Sequence, residues 1–482
     1  MYYIFLGAAM LFCLWAWGAA NRKLFGDLVS PFNVLLFAWV GPLFVRGFGL
    51  SDYERPWSLD VGLVLIWVTF CLAGTSLLAK PLLRGSKAAA QRIVFQETIR
   101  IFQNRVVLIL MLAVFVISFA AYIYNEFINS PVGVPMLAYL RDPTINLVSI
   151  NRWGKTHDTG TVWAYFTAPL QGLVPMLYLG FRANPRRKWR WLFFLVAALY
   201  PVMSALKLSR IDLIYGVVSM GIIEHYYRMY VYVRPAAKPY VTFMRFARNA
   251  LLILLGVGVL HSFVSIRAGE DPSAGSTIGE KIGLHIDAGP LTGSMEEVYG
   301  YFALPIENFA NFYQGHSGGG SLGVGPLRPL FSLAGQGRLA DSEMKRLYLD
   351  RFLLLPANTY TFLTLTYAEL GLPGLVVVPV VYGVLISLLY ARFRRRPNFV
   401  NLFLYLNFLP CWMWLFATNG FSVLGFYLNG AFVLGFYEIC KMLSGSGWQV
   451  QQAFSRQAGR QSDRRTSRED EKRFGRVVLH RR

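Results

Sequence analysis

Two arginines stand where a phosphate could be held at a membrane surface. Arg210 lies in the short gap Lys207-Leu208-Ser209-Arg210 between two apolar runs and is followed by Asp212. Arg267 directly follows the run that ends Phe263-Val264-Ser265-Ile266. A guanidinium presents a planar fork of donors suited to phosphate oxygens and keeps its charge when partly dehydrated. Both residues could instead snorkel from helix ends, and Arg210 could pair with Asp212. Arg152, Arg328 and Arg351 are lesser members of the same basic set. Asp158, Glu307 and Glu369 are carboxylates that could take a proton from a hydroxyl nucleophile, although most such groups are simply solvated. His157, His261, His285 and His316 show no His-x-x-x-His or Cys/His spacing, so no metal site is expected. The four cysteines, Cys13, Cys71, Cys411 and Cys440, all lie in apolar runs and read as small buried hydrophobes.

Several chemistries are unsupported by any motif. There is no G-x-x-x-x-G-K-[ST] phosphate loop and no G-x-G-x-x-G between a strand and a helix. The nearest approach to a metal-sugar Asp-x-Asp pair is Asp52-Tyr53-Glu54. An ATP-driven pump and a nucleotide-sugar enzyme are therefore disfavoured.

The elements that must position these groups are membrane helices. Of 482 residues, 55% are apolar and only 15% charged, against roughly 25% charged in a soluble domain. Apolar runs fall at about 2–20, 31–49, 61–79, 106–124, 161–181, 191–207, 211–230, 249–266, 371–390, 399–417 and 422–443. Many of them reach the roughly 17–25 residues that cross a bilayer, and only helices satisfy their own backbone there. The net charge of +21 is not read as a nucleic-acid signature, because Lys and Arg concentrate in the gaps 21–30, 80–105, 182–190, 231–248 and 391–398. Those gaps are all cytoplasmic if the N-terminus is outside and the C-terminus inside. The expected fold is an all-α, polytopic bundle of about eleven transmembrane helices over 1–443. One large extracytoplasmic loop, about 267–370, contains helix-like text from Met295 to Tyr313. Residues 444–482 hold ten Lys or Arg against four Asp or Glu and read as a basic, disordered cytoplasmic tail.

The run Asn358-Thr359-Tyr360-Thr361-Phe362, followed by Glu369-Leu370-Gly371-Leu372-Pro373-Gly374-Leu375, resembles the N-x-Y-T-F … D/E-x-G-x-x-G signature of Wzy-type O-antigen and oligosaccharide repeat-unit polymerases. Tyr301, Pro305 and Asn308 resemble that family's Y-x-x-x-P-x-x-N segment. Ser209-Arg210 and Ile266-Arg267 fit its paired arginines, and Pro326-Leu327-Arg328-Pro329 is a looser match. Two departures stand out. Ala357-Asn358 replaces the His-Asn pair of the related ligases, and Thr364 stands where many of the polymerases carry a basic residue. The resemblance implies a helical glycosyltransferase fold in the inner membrane, multi-pass, acting on undecaprenyl-diphosphate-linked glycans as donor and acceptor. It implies no metal, no nucleotide sugar and no other cofactor. Arg210, Arg267 and Glu369 would be catalytic; Arg152, Tyr301, Asn308, Arg328, Asn358 and Tyr360 would contact substrate. A flippase and a chain-length regulator would be partners.

Two other classes compete with a polymerase: a glycan ligase and a lipid-linked oligosaccharide flippase. A transporter calls for ionisable groups at mid-membrane and for broken helices. The apolar runs carry almost no charge at their centres, and a single outside loop dominates, which favours chemistry at the surface.

Overall fold

The computed structural model describes residues 27, 29–47, 49–52, 57–83, 88–124, 166–167, 169–206, 210–231, 283, 292–315, 318–319, 331, 334–336, 361–413, 415 and 424–444. Among them the structure is all-helical. The helices are α1 (Pro31–Gly47, with a π-turn at Leu36–Val40), α2 (Leu59–Leu77), α3 (Ala88–Gln103) and α4 (Arg105–Ile123). They continue with α5 (Pro169–Ala183), α6 (Arg187–Leu206), α7 (Arg210–Val231) and α8 (Thr292–Gly315). The last three are α9 (Phe362–Arg395), α10 (Phe399–Met413) and α11 (Leu424–Leu443). By length and composition α2, α4 and α9 could each cross a membrane.

Local sequence explains where these helices start. Pro31 opens α1, where its missing N–H costs nothing. Ser58 caps α2 by accepting from the Val61 N–H, and Asn104 caps α4 by accepting from the Val106 N–H at 2.8 Å. Side chains such as Phe70 on α2, Ile117 on α4 and Val377 on α9 lie on the outside of the bundle. Apolar exposure of this kind suits lipid contact. Inside, small residues bring helices close. A Cβ on Gly383 of α9 would fall 1.7 Å from Thr75 Oγ1 of α2, and Ser387 Oγ donates to Thr75 O at 2.9 Å.

The connection expected at 80–105 is itself largely helical. α3 lies across one end of the bundle, with Phe95 and Phe102 buried against Tyr230, Phe399 and Tyr437. Gln91 donates to Arg394 O, and Gln103 donates to Ala183 O at 2.9 Å. The described residues of the basic gaps thus share this end, here called the basic end. α8 covers the opposite end: Tyr299 OH accepts from Leu50 N–H at 3.1 Å, and Asp52 N–H donates to Gly283 O at 3.0 Å. It matches the helix-like text expected at 295–313.

α9 is not a straight rod. Gly371 breaks it with φ 62° and ψ −152°. A straight helix would separate residues 366 and 374 by about 12 Å along its axis, and 362 and 382 by about 30 Å. Instead a Cβ on Gly374 would lie 2.9 Å from Thr366 O, and the Phe362 and Tyr382 rings are 5.8 Å apart. Residues 362–370 therefore fold back on 371–382 as a re-entrant half-helix. Only the second limb crosses the bundle, beginning where the apolar run at 371–390 was expected to begin. Glycine is required twice in this turn: Gly371 for its positive φ, and Gly374 because a side chain would collide with Leu370 and Thr366.

Candidate functional site

The end covered by α8 gathers several groups singled out from the sequence. Arg46, in the last turn of α1, is fully buried and its Nε–H donates to Glu307 Oε1 of α8. The same oxygen accepts from Trp57 Nε1 at 2.8 Å, and the Arg46 guanidinium sits 4.5 Å from the centre of the Trp57 ring. A buried charge demands this kind of compensation: an opposite charge, hydrogen bonds and a polarisable face. Glu307 is thereby committed to fastening α8 onto α1, which removes it as a solvent-accessible base. Its neighbour Asn308 is buried beside it.

Glu369 lies two residues before the reversal of α9 and is also buried, at 3% exposure. The re-entrant limb around it is enclosed from Phe362 onward, and its first residue is tied down by Phe362 N–H donating to Leu415 O at 3.0 Å. Gly318 and Gly319, from the glycine-rich stretch after α8, pack over the reversal. Gly319 N–H donates to Ala368 O at 3.3 Å, and a Cβ on Gly318 would stand 2.5 Å from Tyr367 O. Two sequence segments more than fifty residues apart, one ending near Asn308 and one near Glu369, are in this way folded against each other. Contacts of Tyr367 with Phe312 and Tyr313 continue the junction.

Arg210 is the first residue of α7. His225, fifteen residues on, belongs to the basic end, so about 22 Å of helix rise places the Arg210 backbone toward the end that carries Arg46 and Glu369. Tyr301 lies in α8 one turn before Pro305. Arg152, Arg267, Arg328, Asn358 and Tyr360 fall outside the described residues, as do Arg351 and Asp158. Among the described residues no group of three His, Cys, Asp or Glu could hold a metal ion.

A second buried polar cluster lies at the basic end. Asp27 is wholly buried and accepts from Tyr226 OH at 3.0 Å, Tyr390 OH at 2.9 Å, Arg394 Nη1 at 2.7 Å and Val29 N–H at 3.1 Å. Tyr226, Tyr390 and Arg394 share Oδ2, whereas Val29 N–H donates to Oδ1, from which His225 Nε2 lies 3.0 Å. Burial by itself would raise this carboxyl. The His225 hydrogen bond and the charges of Arg394 and His225 outweigh burial and hold it at about 2. Beside it, Glu224 pairs with Arg182 at 2.6 Å and with Arg228 at 2.5 Å. Phe393 and Tyr405 pack beside it through ring contacts with Tyr226 and Tyr390.

No family model, curated protein or solved structure matches the chain.

Arg46, Trp57, Asp27 and His225 were not singled out from the sequence. Two of them carried a signal. Arg46 falls inside the apolar run 31–49, and an ionisable residue within such a run needs a partner. Asp27 is an acid within a basic gap. The partners themselves, Glu307 and Arg394, are 261 and 367 residues away, and no local pattern connects them.

Proposed function

We propose that the chain joins lipid-diphosphate-linked oligosaccharide repeat units at the membrane surface covered by α8. The observation that carries this reading is the junction of the two segments resembling the repeat-unit polymerases, with Glu369 buried where they meet. In the reaction, the bond between the donor's anomeric carbon and its diphosphate oxygen breaks, and a hydroxyl oxygen of the acceptor glycan bonds to that carbon. The bond electrons leave with the lipid diphosphate. The hydroxyl proton passes to a carboxylate, for which Glu369 is our candidate. Arg210 and Arg267 would hold the diphosphate and stabilise its developing charge. The bilayer confines both lipid-linked reactants to one surface, which favours their encounter. On this reading the α8 end faces away from the cytoplasm, the basic end faces the cytoplasm, and about eleven helices of the whole chain cross the membrane.

A second reading, a flippase for the same lipid-linked units, draws on the break in α9, because transporters commonly build their sites from interrupted helices. One experiment separates the two. Purified protein is reconstituted in vesicles with lipid-linked repeat units, chelator and no nucleotide. Polymer ladders in the wild type that fall about 100-fold or more in Glu369→Gln support the polymerase. A strict need for a divalent cation, or movement of units between leaflets with no joining, sinks it.

A further inference from the structure

The turn between α5 and α6 carries a group of exposed cations beside an exposed apolar surface. α5 ends at the basic end, where Ala183 O accepts from Gln103, and Arg186 N–H then donates to Asn184 Oδ1 at 2.9 Å as the chain turns into α6. Other arginines at this end are paired: Arg182 and Arg228 with Glu224, and Arg394 with Asp27. Arg186, Lys188 and Arg190 are exposed, and among the described residues no carboxylate pairs with any of them. The first turn of α6 contains no acid. The Arg190 guanidinium lies 6.0 Å from the centre of the Phe181 ring on α5. That ring is 5.1 Å from Phe194, which meets Trp191 edge-on at 5.9 Å. Trp191 is 58% exposed and Leu195 60%, so the surface next to the cations is open rather than part of the core.

Charge gives way to apolar surface along one face of α6. Lys188, Trp191, Leu192 and Leu195 are spaced i, i+3, i+4 and i+7, and all four are exposed. From Lys188 to Leu195 the helix rises about 10 Å, enough to pass from a headgroup layer roughly 5–8 Å thick into hydrocarbon. A tryptophan between the two suits that boundary, with its apolar body and single N–H. Lys and Arg donate charge-assisted hydrogen bonds to phosphate oxygens. A nucleic acid would use the same cations but leave Leu192 and Leu195 in water. The chain's own tail, residues 444–482, holds ten Lys or Arg against four Asp or Glu and would be repelled. We propose that the α5–α6 turn is a binding surface for an anionic glycerophospholipid: Arg186, Lys188 and Arg190 hold the headgroup phosphate, and Trp191, Leu192 and Leu195 take the acyl chain. This surface lies at the end opposite the one to which the reaction is assigned, and its binding does not depend on that reaction.

The test uses full-length protein in detergent micelles carrying equal amounts of dioleoylphosphatidylglycerol and dioleoylphosphatidylcholine, with monodispersity checked for each variant. Native mass spectrometry counts the lipids retained. The wild type keeps phosphatidylglycerol over phosphatidylcholine by about tenfold or more, since each cation at an anionic surface is worth about fivefold. Arg186→Gln, Lys188→Gln and Arg190→Gln together bring the ratio to within about twofold of unity. Arg186→Lys with Arg190→Lys, which keeps the charge, stays within about threefold of wild type. Removing equal charge elsewhere at this end, with Arg105→Gln, Arg395→Gln and Arg396→Gln, changes the ratio by less than about twofold. Trp191→Gln with Leu195→Gln leaves the cations and lowers the retention of phosphatidylglycerol several-fold. Equal retention of the two lipids by the wild type overturns the proposal. So does an equal loss in the two triple variants, which makes the preference a property of the whole basic end, and so does unchanged retention in Trp191→Gln with Leu195→Gln. A single-stranded oligonucleotide, followed by fluorescence anisotropy, is the rival probe. If it displaces phosphatidylglycerol from the wild type and binds Trp191→Gln with Leu195→Gln as tightly, the surface is a nucleic-acid site and the lipid assignment fails.

Discussion

Removing one partner of the Arg46–Glu307 pair tests whether the loop helix is fastened to the bundle by a buried charge. Both side chains are essentially inaccessible, at 0% and 1%. Glu307→Ala removes the buried carboxylate that faces the Arg46 guanidinium and accepts from Trp57 Nε1. Breaking a buried pair costs about 3–5 kcal/mol, and an orphaned buried donor about 1–3 kcal/mol more. Arg46→Met strands the carboxylate instead, at about 3–5 kcal/mol. The double variant Arg46→Met with Glu307→Leu removes both charges of this pair together. The penalty it keeps from this contact is the lost acceptor of the Trp57 N–H, about 1–3 kcal/mol. The single losses therefore sum to far more than the double loss, with a coupling of about 3 kcal/mol or more. Glu307→Gln, which keeps an acceptor for both donors, should fall between wild type and Glu307→Ala. The assay is reversible unfolding in mixed detergent micelles, followed by far-UV circular dichroism, across the four corners of the cycle. Additive losses, or single variants within about 1 kcal/mol of wild type, would refute the claim that this pair is dry and mutually dependent.

Two further outcomes follow from the packing. The Asp27 carboxyl lies below its ordinary value of 3.8, at about 2. Its ionised form is therefore the one the fold favours: the stabilisation is complete above about pH 4, shrinks as pH falls toward 2, and amounts to about 2 kcal/mol. Asp27→Asn should flatten that part of the stability-against-pH curve, and an unchanged slope between pH 4 and 2 would contradict the assignment. At the reversal of α9, Gly374→Val should cost about 2–3 kcal/mol by overpacking against Thr366 and Leu370. Gly62→Ala, with nothing within 4 Å, should stabilise by up to about 1 kcal/mol. Equal unfolding midpoints for the two variants would show that residues 362–370 do not fold back.

Much of the architecture is set by local composition. Runs of apolar residues separated by basic clusters lead to helices because lipid offers a backbone no other hydrogen-bond partner. The positions of α2, α4 and α7, the end of α6, the helix at 292–315 and the start of the crossing limb at 371 are foreshadowed to within a few residues by hydropathy and helix-like text. Asn308 and Glu369 could be named as candidates from sequence, because each belongs to a short motif. Tertiary structure alone decided what those residues face. Hydropathy cannot distinguish a helix that crosses the bundle from one that reverses at Gly371, because both limbs are apolar; the difference is a single residue at φ 62°. It likewise could not pair Arg46 with Glu307, Asp27 with Arg394, or Tyr313 with Tyr367. Charge compensation and ring contact depend on distance in space, and residues far apart along the chain acquire that distance only when the helices pack.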